Sequence, residues 1–229
     1  RSKIINMDEV PPAEPYQAAT GHPIGSDLYY KSDGIFHTLE ELNSYPHGNG
    51  AQVGDIKVLD LNDDGQINGD DRYRTDKSAT PEYVFGVTTS FQYKGFDLTL
   101  FLQGQTGALS YDNVLTGFGQ QDLDNNTVYR ATDRWTTNNQ QGTMPRADAW
   151  EPGATDFFLY DATFIRLKNL ELGYSFRNML SKAKSLDDVR LFVSGTNLLT
   201  WAKEIKWRDA EISGGVTEYP SLRIINFGV

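Results

Sequence analysis

The sequence predicts an all-β fold in which about six antiparallel strands belong to a large transmembrane β-barrel. Three observations lead to this prediction. Segments of roughly ten residues alternate strictly between apolar and polar side chains. The connections between these segments alternate between short turns and long polar loops. Aromatic residues flank the short turns, at the level where a barrel carries its interfacial belt.

The first predicted hairpin covers residues 83–103, with a tight turn at Lys94 and Gly95. Large apolar residues occupy most of the alternate positions on either side of this turn, and small or polar residues occupy most of the positions between them. The predicted lipid-facing residues are Phe85, Val87, Phe91, Leu98, Leu100 and Leu102. The predicted lumen-facing residues are Thr88, Ser90, Gln92, Asp97 and Thr99.

A second pair of strands is predicted at residues 163–176 and from residue 189 onward. The apolar set moves from odd to even positions near Asn169, and a one-residue slip turns every later side chain over. A β-bulge near Asn169 is the economical explanation of this change of phase. The alternative is that residues 163–168 stand clear of the apolar layer. The lipid-facing set continues with Leu172, Tyr174, Val189, Leu191, Val193, Ile225 and Phe227, and Glu171 and Arg190 face the lumen.

Long connections at residues 8–80, 104–161 and 202–219 are predicted to be extracellular loops, because barrels have short turns on one side and long loops on the other. The turns near residues 94 and 182 are short. Barrels need at least about eight strands to close. We therefore expect this sequence to be a fragment of a larger protein, with the remaining strands lying outside it. A soluble β-sandwich with long loops is the alternative reading of this pattern.

Residues 60–71 predict a calcium-binding loop that resembles an EF-hand. Such a loop supplies oxygen ligands from its positions 1, 3, 5, 7, 9 and 12 and turns sharply at a glycine, here Gly65. The predicted ligands are Asp60, Asn62, Asp64, the backbone carbonyl of Gln66, Asn68 through a water molecule, and Asp71. Asp71 is shorter than the usual glutamate, which makes bidentate binding less certain. An acidic turn without metal is the alternative.

The segments beside this loop carry no helical repeat of apolar residues, in contrast to a regulatory EF-hand. Residues 54–59 alternate like a strand, and residues 72–81 are polar and end at Pro81. We therefore predict that the calcium ion stabilises the loop and does not open a pair of helices.

Composition narrows the classes of function. The formal net charge is -10 at pH 7, so the chain offers no basic face for nucleic acid. There is no cysteine, which excludes a thiol zinc site. The 3 histidines lie without the spacing of metal ligands. The chain lacks a phosphate-binding glycine loop, a nucleophile elbow and a histidine-based triad. The acidic pairs Asp122/Asp124 and Asp187/Asp188 are typical of solvated turns, so we predict that the protein is not an enzyme.

Five segments, in order along the chain, resemble the SusC/RagA-type TonB-dependent outer-membrane transporters. They are residues 21–36 (GHPIG followed by YKSDGIF), 54–65 (GDIK followed by DLNDDG), 93–98 (YKGFDL), 164–170 (FIRLKNL) and 193–200 (VSGTNLLT). Together they extend over nearly the whole chain. One departure is that the family strand usually continues to a terminal aromatic residue, whereas this chain stops at Val229.

The resemblance implies that the chain is the C-terminal part of a Gram-negative outer-membrane barrel of about 22 strands with a plugged lumen. The plug domain and the TonB-contacting segment are then absent from it. The implied function is TonB-dependent import of oligosaccharides or peptides, beneath a surface lipoprotein lid of the SusD type. The alternative is a secreted, calcium-stabilised β-sandwich that binds glycans. No substrate-contacting residue is assigned, although Trp135, Trp150 and Tyr160 could stack on sugar rings.

Overall fold

The computed structural model describes residues 2–112, 131–147, 149, 153–176, 189–212 and 219–229. The chain divides into two compact units. The described residues of the first unit lie within Arg1–Thr80 and Ala108–Asp161. Those of the second unit lie within Pro81–Gly107, Ala162–Ile212 and Glu218–Val229.

The described elements are mostly strands. In chain order they are β1 (Leu28–Tyr30), β2 (Ser32–Ile35), α1 (Leu39–Ser44), β3 (Ile56–Val58), β4 (Arg72–Arg74), β5 (Tyr83–Tyr93), β6 (Phe96–Thr106), β7 (Leu109–Tyr111), β8 (Leu159–Asp161), β9 (Phe164–Ser175), β10 (Arg190–Ala202) and β11 (Ile224–Gly228). Short 3₁₀ helices occupy Pro15–Gln17, Gly69–Asp71 and Asp156–Phe158. Among these residues no helix is long and apolar enough to span a membrane.

The second unit contains a five-stranded antiparallel sheet in the order β11-β10-β9-β6-β5. The predicted hairpin is confirmed, since β5 and β6 pair in register from Tyr83↔Thr106 to Tyr93↔Phe96. Lys94 and Gly95 both have positive φ, at 47° and 86°, as a two-residue type I′ turn requires. Such a turn matches the twist of its strands, so it sets the register of the whole hairpin.

The predicted bulge is also confirmed. Phe101 pairs with Asn169, but the next residue of β6, Leu102, pairs with Leu167, so Lys168 has no partner in β6. On the other side of β9, the register with β10 shifts between Thr196 and Leu199. The extra residue Lys168 is the physical cause of the change of phase in the sequence.

The two faces of this sheet differ as predicted. Paired positions on the five strands share a face, so one apolar row consists of Phe91, Leu98, Leu172, Val193 and Phe227. The next row, on the opposite face, consists of Ser90, Thr99, Glu171, Ser194 and Asn226. Phe91 is 59% exposed and Phe227 81% exposed. Within the described residues of this unit no second sheet covers the apolar face.

Among the described residues the sheet has five strands, where about six were expected. Described residues 2–7 form no strand. Instead, Ile4 exchanges backbone hydrogen bonds with the segment at Gly21 and His22, at 2.8 and 2.9 Å. The apolar pair Ile4 and Ile5 is too short to establish an alternating pattern, and its backbone is satisfied locally. The sheet has open edges at β5 and β11.

The first unit consists of short strands in two-stranded pairs, β1 with β4, β2 with β3 and β7 with β8. The largest side chains of its small core are Phe36, Ile56 and Phe158, each at most 1% exposed. α1 begins after Thr38, whose side chain accepts a hydrogen bond from the Glu41 amide. The predicted long connections therefore contain ordered elements of their own, which hold residues 60–71 between β3 and β4.

Candidate functional site

The predicted calcium loop is organised by hydrogen bonds from its own backbone. The Asp60 carboxylate accepts from the amides of Asp64 and Gly65, at 3.2 and 2.8 Å. Asn62 Oδ1 accepts from the Asp64 amide at 3.2 Å, and Asp64 Oδ1 accepts from the Gln66 amide at 2.8 Å. Gly65 has φ of 79°, which supports the sharp turn expected at this position. The first half of the loop thus brings the side-chain oxygens of Asp60, Asn62 and Asp64 together.

Asp71 closes the loop. It is fully buried, and its two oxygens accept from the amides of Leu61 and Asn68, each at 2.8 Å. The Asn68 side chain accepts from the Asp70 amide in return, so the pair forms a capping box on the 3₁₀ helix. Asp71 therefore ties the last turn of the loop back to its beginning through the backbone.

Residues far away in the sequence hold the same loop. Gln17 Nε2 donates to the carbonyls of Gly69 and Arg72, at 2.8 and 2.9 Å. The Tyr16 hydroxyl donates to the Asp70 carbonyl at 2.6 Å. Burial and the surrounding acidic side chains raise the pKa of Tyr16, so this hydroxyl stays protonated. The spacing of the loop gives no signal for these contacts, because they come from a separate segment.

The residues fit a calcium ion in part. Carboxylate and amide oxygens are the donors that calcium prefers, and Asp60, Asn62 and Asp64 present them on one short turn. The backbone amide of Gln66 donates to Asp64, so Gln66 lies next to this turn. Both carboxylate oxygens of Asp71 accept from backbone amides, and Asp71 could bind an ion only through its remaining lone pairs. Within the described ranges no group of three or more His, Cys, Asp or Glu side chains is arranged to hold a metal ion. Calcium binding stays a prediction.

The Arg166 cluster, defined as Arg166, Lys168, Asp209 and Glu211, lies on the polar side of the sheet. Arg166 is only 3% exposed. Its guanidinium pairs with Asp209 and with Glu211, the latter at 2.6 Å, and its Nε donates to the Thr200 hydroxyl at 2.9 Å. Lys168 Nζ lies 2.9 Å from both carboxylate oxygens of Glu211. The cluster ties the segment after β10 to the sheet.

Asp209 is held ionised. Burial by itself would raise the pKa of Asp209, but the Arg166 guanidinium and the amides of Glu211 and Ser221 outweigh burial and lower it to about 2. Those two amides lie 3.0 Å from the carboxylate. The carboxylate of Asp209 is therefore paired with Arg166 and hydrogen-bonded to two backbone amides.

A second charged cluster, the Arg190 cluster of Arg190, Asp97 and Glu171, lies near the turn at Lys94 and Gly95. The turn predicted near residue 182 lies outside the described residues. Arg190 donates to both oxygens of Asp97, at 3.0 and 2.5 Å, and to Glu171 at 2.6 Å. All three residues were predicted to face the lumen, and the register brings them together on neighbouring strands. The sequence pattern could not show this pairing, since it indicates faces and not strand order.

An open cavity of about 670 Å³ lies in the second unit, next to the Arg166 cluster. It is lined by the end of β10 and by residues within 205–210 and 220–223. β11 pairs with β10 only as far as Thr196↔Ile224, so the last residues of β10 have no partner in β11 there. Sequence reasoning missed this cavity, because its walls come from three separated segments.

The other candidate residues are dispersed. Trp135 packs its ring against Gly54, where an added Cβ would lie 2.5 Å from a ring carbon. Tyr160 belongs to β8 and pairs with Ser110. Trp150, like the pairs Asp122/Asp124 and Asp187/Asp188, lies outside the described residues. The contact with Gly54 indicates that Trp135 has a packing role.

Sequence comparison finds similarity to TonB-dependent receptors. The chain is 31% identical over 188 residues to TonB-dependent receptor P3 of Formosa agariphila, covering 79% of this chain and 18% of that protein. It is 28% identical over 184 residues to TonB-dependent receptor SusC of Bacteroides thetaiotaomicron, covering 78% of this chain and 17% of that protein. The chain thus spans less than a fifth of the length of either relative. No protein-family model matches.

Structural comparison supports the same fold. A structure of the RagAB peptide transporter matches with a TM-score of 0.60 and 24% identity, over 81% of this chain and 20% of that chain. A structure of the RagAB peptide importer in the open-open state matches with a TM-score of 0.60 and 22% identity, over 86% of this chain and 21% of that chain. At these identities the two structures bear on the fold alone.

Proposed function

Because the chain belongs to the SusC-type TonB-dependent receptors of the outer membrane, we propose that it forms the C-terminal part of the barrel of a TonB-dependent importer. The observation that carries this proposal is the five-stranded sheet, which is apolar on one exposed face and polar and charged on the other. A barrel strand needs this pattern, because one of its faces contacts lipid and the other contacts the lumen.

The open edges of the sheet agree with a position inside a larger barrel. Unpaired backbone groups cost several kcal/mol each in lipid. β5 and β11 therefore need partner strands from the rest of the receptor. In this arrangement the Arg166 cluster and the group of Arg190, Asp97 and Glu171 face the lumen, where water reduces the cost of their charges.

We propose oligosaccharides or peptides as the imported substrates. The oligosaccharide alternative comes from the family resemblance of the sequence, and the peptide alternative is supported by the RagAB structures, which are described as a peptide transporter and importer. A SusD-like surface lipoprotein would cover the extracellular side, where residues 8–80, 104–161 and 202–219 would lie. The TonB complex would supply energy through the N-terminal part of the receptor.

We further propose that residues 60–71 bind calcium as a structural ion. Asp60, Asn62, Asp64, the Gln66 carbonyl and Asp71 would hold it. The ion would neutralise the acidic side chains of the turn and favour its ordered form by mass action. Its role would be to stabilise an extracellular loop.

The proposed import is tested in cells that lack the full-length receptor gene. Deletion and complemented strains are grown on a panel of oligosaccharides and peptides as sole carbon sources. We expect the deletion to abolish growth on one of these classes, while growth on the corresponding monomers continues. Complementation should restore growth only when TonB is present. Unaffected growth on every substrate, or rescue without TonB, would count against import.

A further inference from the structure

Residues 203–212, defined here as the ledge, return over the polar face of the sheet instead of leading away from it. The carboxylate of Glu211 lies 2.6 Å from the guanidinium of Arg166 and 3.5 Å from the side-chain amide of Gln103. The register pairs Arg166 with Gln103, and paired positions share a face. Gln103 alternates with Thr99 on the polar face. The ledge therefore lies on the side of the sheet that lines the lumen in the proposed barrel.

The ledge is packed on the sheet and not only tethered to it. Its residues Ile205 and Ala210 are 1% and 4% exposed. Phe164 of β9 is 2% exposed and shares a face with Arg166, whose guanidinium lies 5.6 Å from the centre of the Phe164 ring. With Ala162, these are the buried apolar side chains among the described residues of the second unit. Apolar burial in this unit is therefore confined to the ledge and to the start of β9.

Hydrogen bonds fix the ledge at its beginning and near its end. The Lys203 amide donates to the Thr163 carbonyl at 3.0 Å, which continues the pairing of β9 and β10 by one residue. The carboxylate of Asp209 pairs with Arg166 and accepts from the Ser221 amide at 3.0 Å. A segment with packed side chains and several anchoring bonds has a high local stability, so we expect the ledge to keep its position.

A packed segment on the wall of a barrel reduces the free width of the lumen. Two packed layers of backbone lie about 10 Å apart, so the ledge takes up roughly this width on its side of the barrel. Lys206 is exposed, although its neighbour Ile205 is buried. The Lys206 side chain therefore marks the surface of the ledge that points away from the sheet.

We propose that the ledge is a fixed constriction at the extracellular end of the lumen, which narrows the path of the imported substrate. The constriction is steric, and the Arg166 cluster holds it against the wall. This assignment rests on the proposed import function and adds a part of the wall that limits the size of what passes.

The first test locates the ledge in the native full-length receptor in isolated outer membranes. A water-soluble carbodiimide joins an amine and a carboxylate as an amide only where the two groups are in contact, and the oxygen that is lost leaves in the urea formed from the reagent. Lys168 Nζ lies 2.9 Å from Glu211. We expect mass spectrometry to find peptides linked between these two residues. The control Lys168→Arg keeps the charge but cannot form this amide.

The second test measures the constriction with two reagents of different size on one cysteine, Lys206→Cys. Methyl methanethiosulfonate adds a small group, and a maleimide carrying a polyethylene glycol chain adds a bulky one. Import is measured directly after labelling, as uptake of the panel substrates on which the deletion strain fails to grow. We expect the bulky label to abolish uptake and the small label to preserve it. The receptor without this cysteine, treated with the same reagents, is the control.

A wild-type receptor that forms no link between Lys168 and Glu211 would overturn the position of the ledge. Normal uptake by a receptor that carries the bulky label, or equal loss with both labels, would overturn the constriction. These failures are distinct from failure of the proposed function. A receptor whose deletion leaves uptake of every panel substrate unchanged is not the importer, whatever the position of its ledge.

Discussion

Leu100→Arg and Thr99→Arg are expected to have different effects on barrel stability, although the two positions are adjacent in β6. Leu100 pairs with Leu170 on the apolar face. Thr99 pairs with Ser90 and Glu171 on the polar face, and its hydroxyl lies 3.1 Å from the Ser90 hydroxyl. The same substitution therefore introduces a cation into lipid in one case and into the lumen in the other.

The expected magnitudes follow from these neighbours. Arginine on a lipid-facing position near the bilayer midplane costs about 2–4 kcal/mol. Thr99→Arg removes one hydroxyl hydrogen bond, worth about 1 kcal/mol. The new guanidinium would lie opposite Glu171, and such a cross-strand pair returns roughly 0.2–1 kcal/mol. The net cost at Thr99 is therefore expected to be small.

The assay is guanidinium-induced unfolding of the full-length receptor reconstituted in lipid vesicles, followed by tryptophan fluorescence. Leu100→Ala serves as a control, because it removes the same packing without adding a charge. We expect Leu100→Arg to be less stable than both Leu100→Ala and Thr99→Arg. If Leu100→Arg and Thr99→Arg lowered the free energy of unfolding equally, the assignment of the two faces would be wrong.

Three other perturbations test the loop and the Arg166 cluster. Calcium should slow amide exchange across residues 60–71 of the full-length receptor, but not in the variant Asp64→Ala, which lacks a proposed ligand. The control Asp63→Asn removes an acidic side chain that is not a proposed ligand and should keep the protection. Equal protection in the two variants would contradict the proposed ligands. Arg166→Met should leave Asp209 without its cation and Glu211 with Lys168 alone. We expect this to cost about 3–5 kcal/mol and to be visible as faster exchange at residues 205–212. Unchanged exchange there would show that the cluster does not hold this segment. Because the pKa of Asp209 is lowered from 3.8 to about 2 in the folded protein, its contribution of about 2 kcal/mol is present above pH 3.8 and is lost as the pH falls through about 2. Asp209→Asn should remove this acid dependence of proteolysis at residues 205–212, and an unaltered profile would refute the assignment.

The sheet was largely predictable because its signals are local. The alternation around Lys94 and Gly95 specifies both strands and their turn, and the change of phase near Asn169 specifies the bulge. The expected sixth strand is absent from residues 2–7, where the two adjacent apolar residues Ile4 and Ile5 carry no period. Its backbone groups bond to a nearby segment, which a pattern of side chains does not indicate.

The candidate sites were only partly predictable. The spacing of residues 60–71 identifies the loop and its turn at Gly65, and the structure brings Asp60, Asn62 and Asp64 together. The capping role of Asp71 carries a local signal, since an Asn precedes it by three residues at the start of a turn. The Arg166 cluster has no such signal, because its partners lie more than forty residues further along the chain.

The bulge connects the fold to the Arg166 cluster and the cavity beside it. Without the extra residue Lys168, the phase of β9 would be uniform, and either the segment around Arg166 or the segment around Leu172 would present its apolar side chains to the lumen. With it, both segments keep their apolar residues on one face, and Arg166 and Lys168 both reach carboxylates of the segment after β10. That segment carries Lys206 and forms a wall of the cavity. A single inserted residue thus lets one strand keep its apolar side chains on the lipid face and also hold the segment after β10 on the other face.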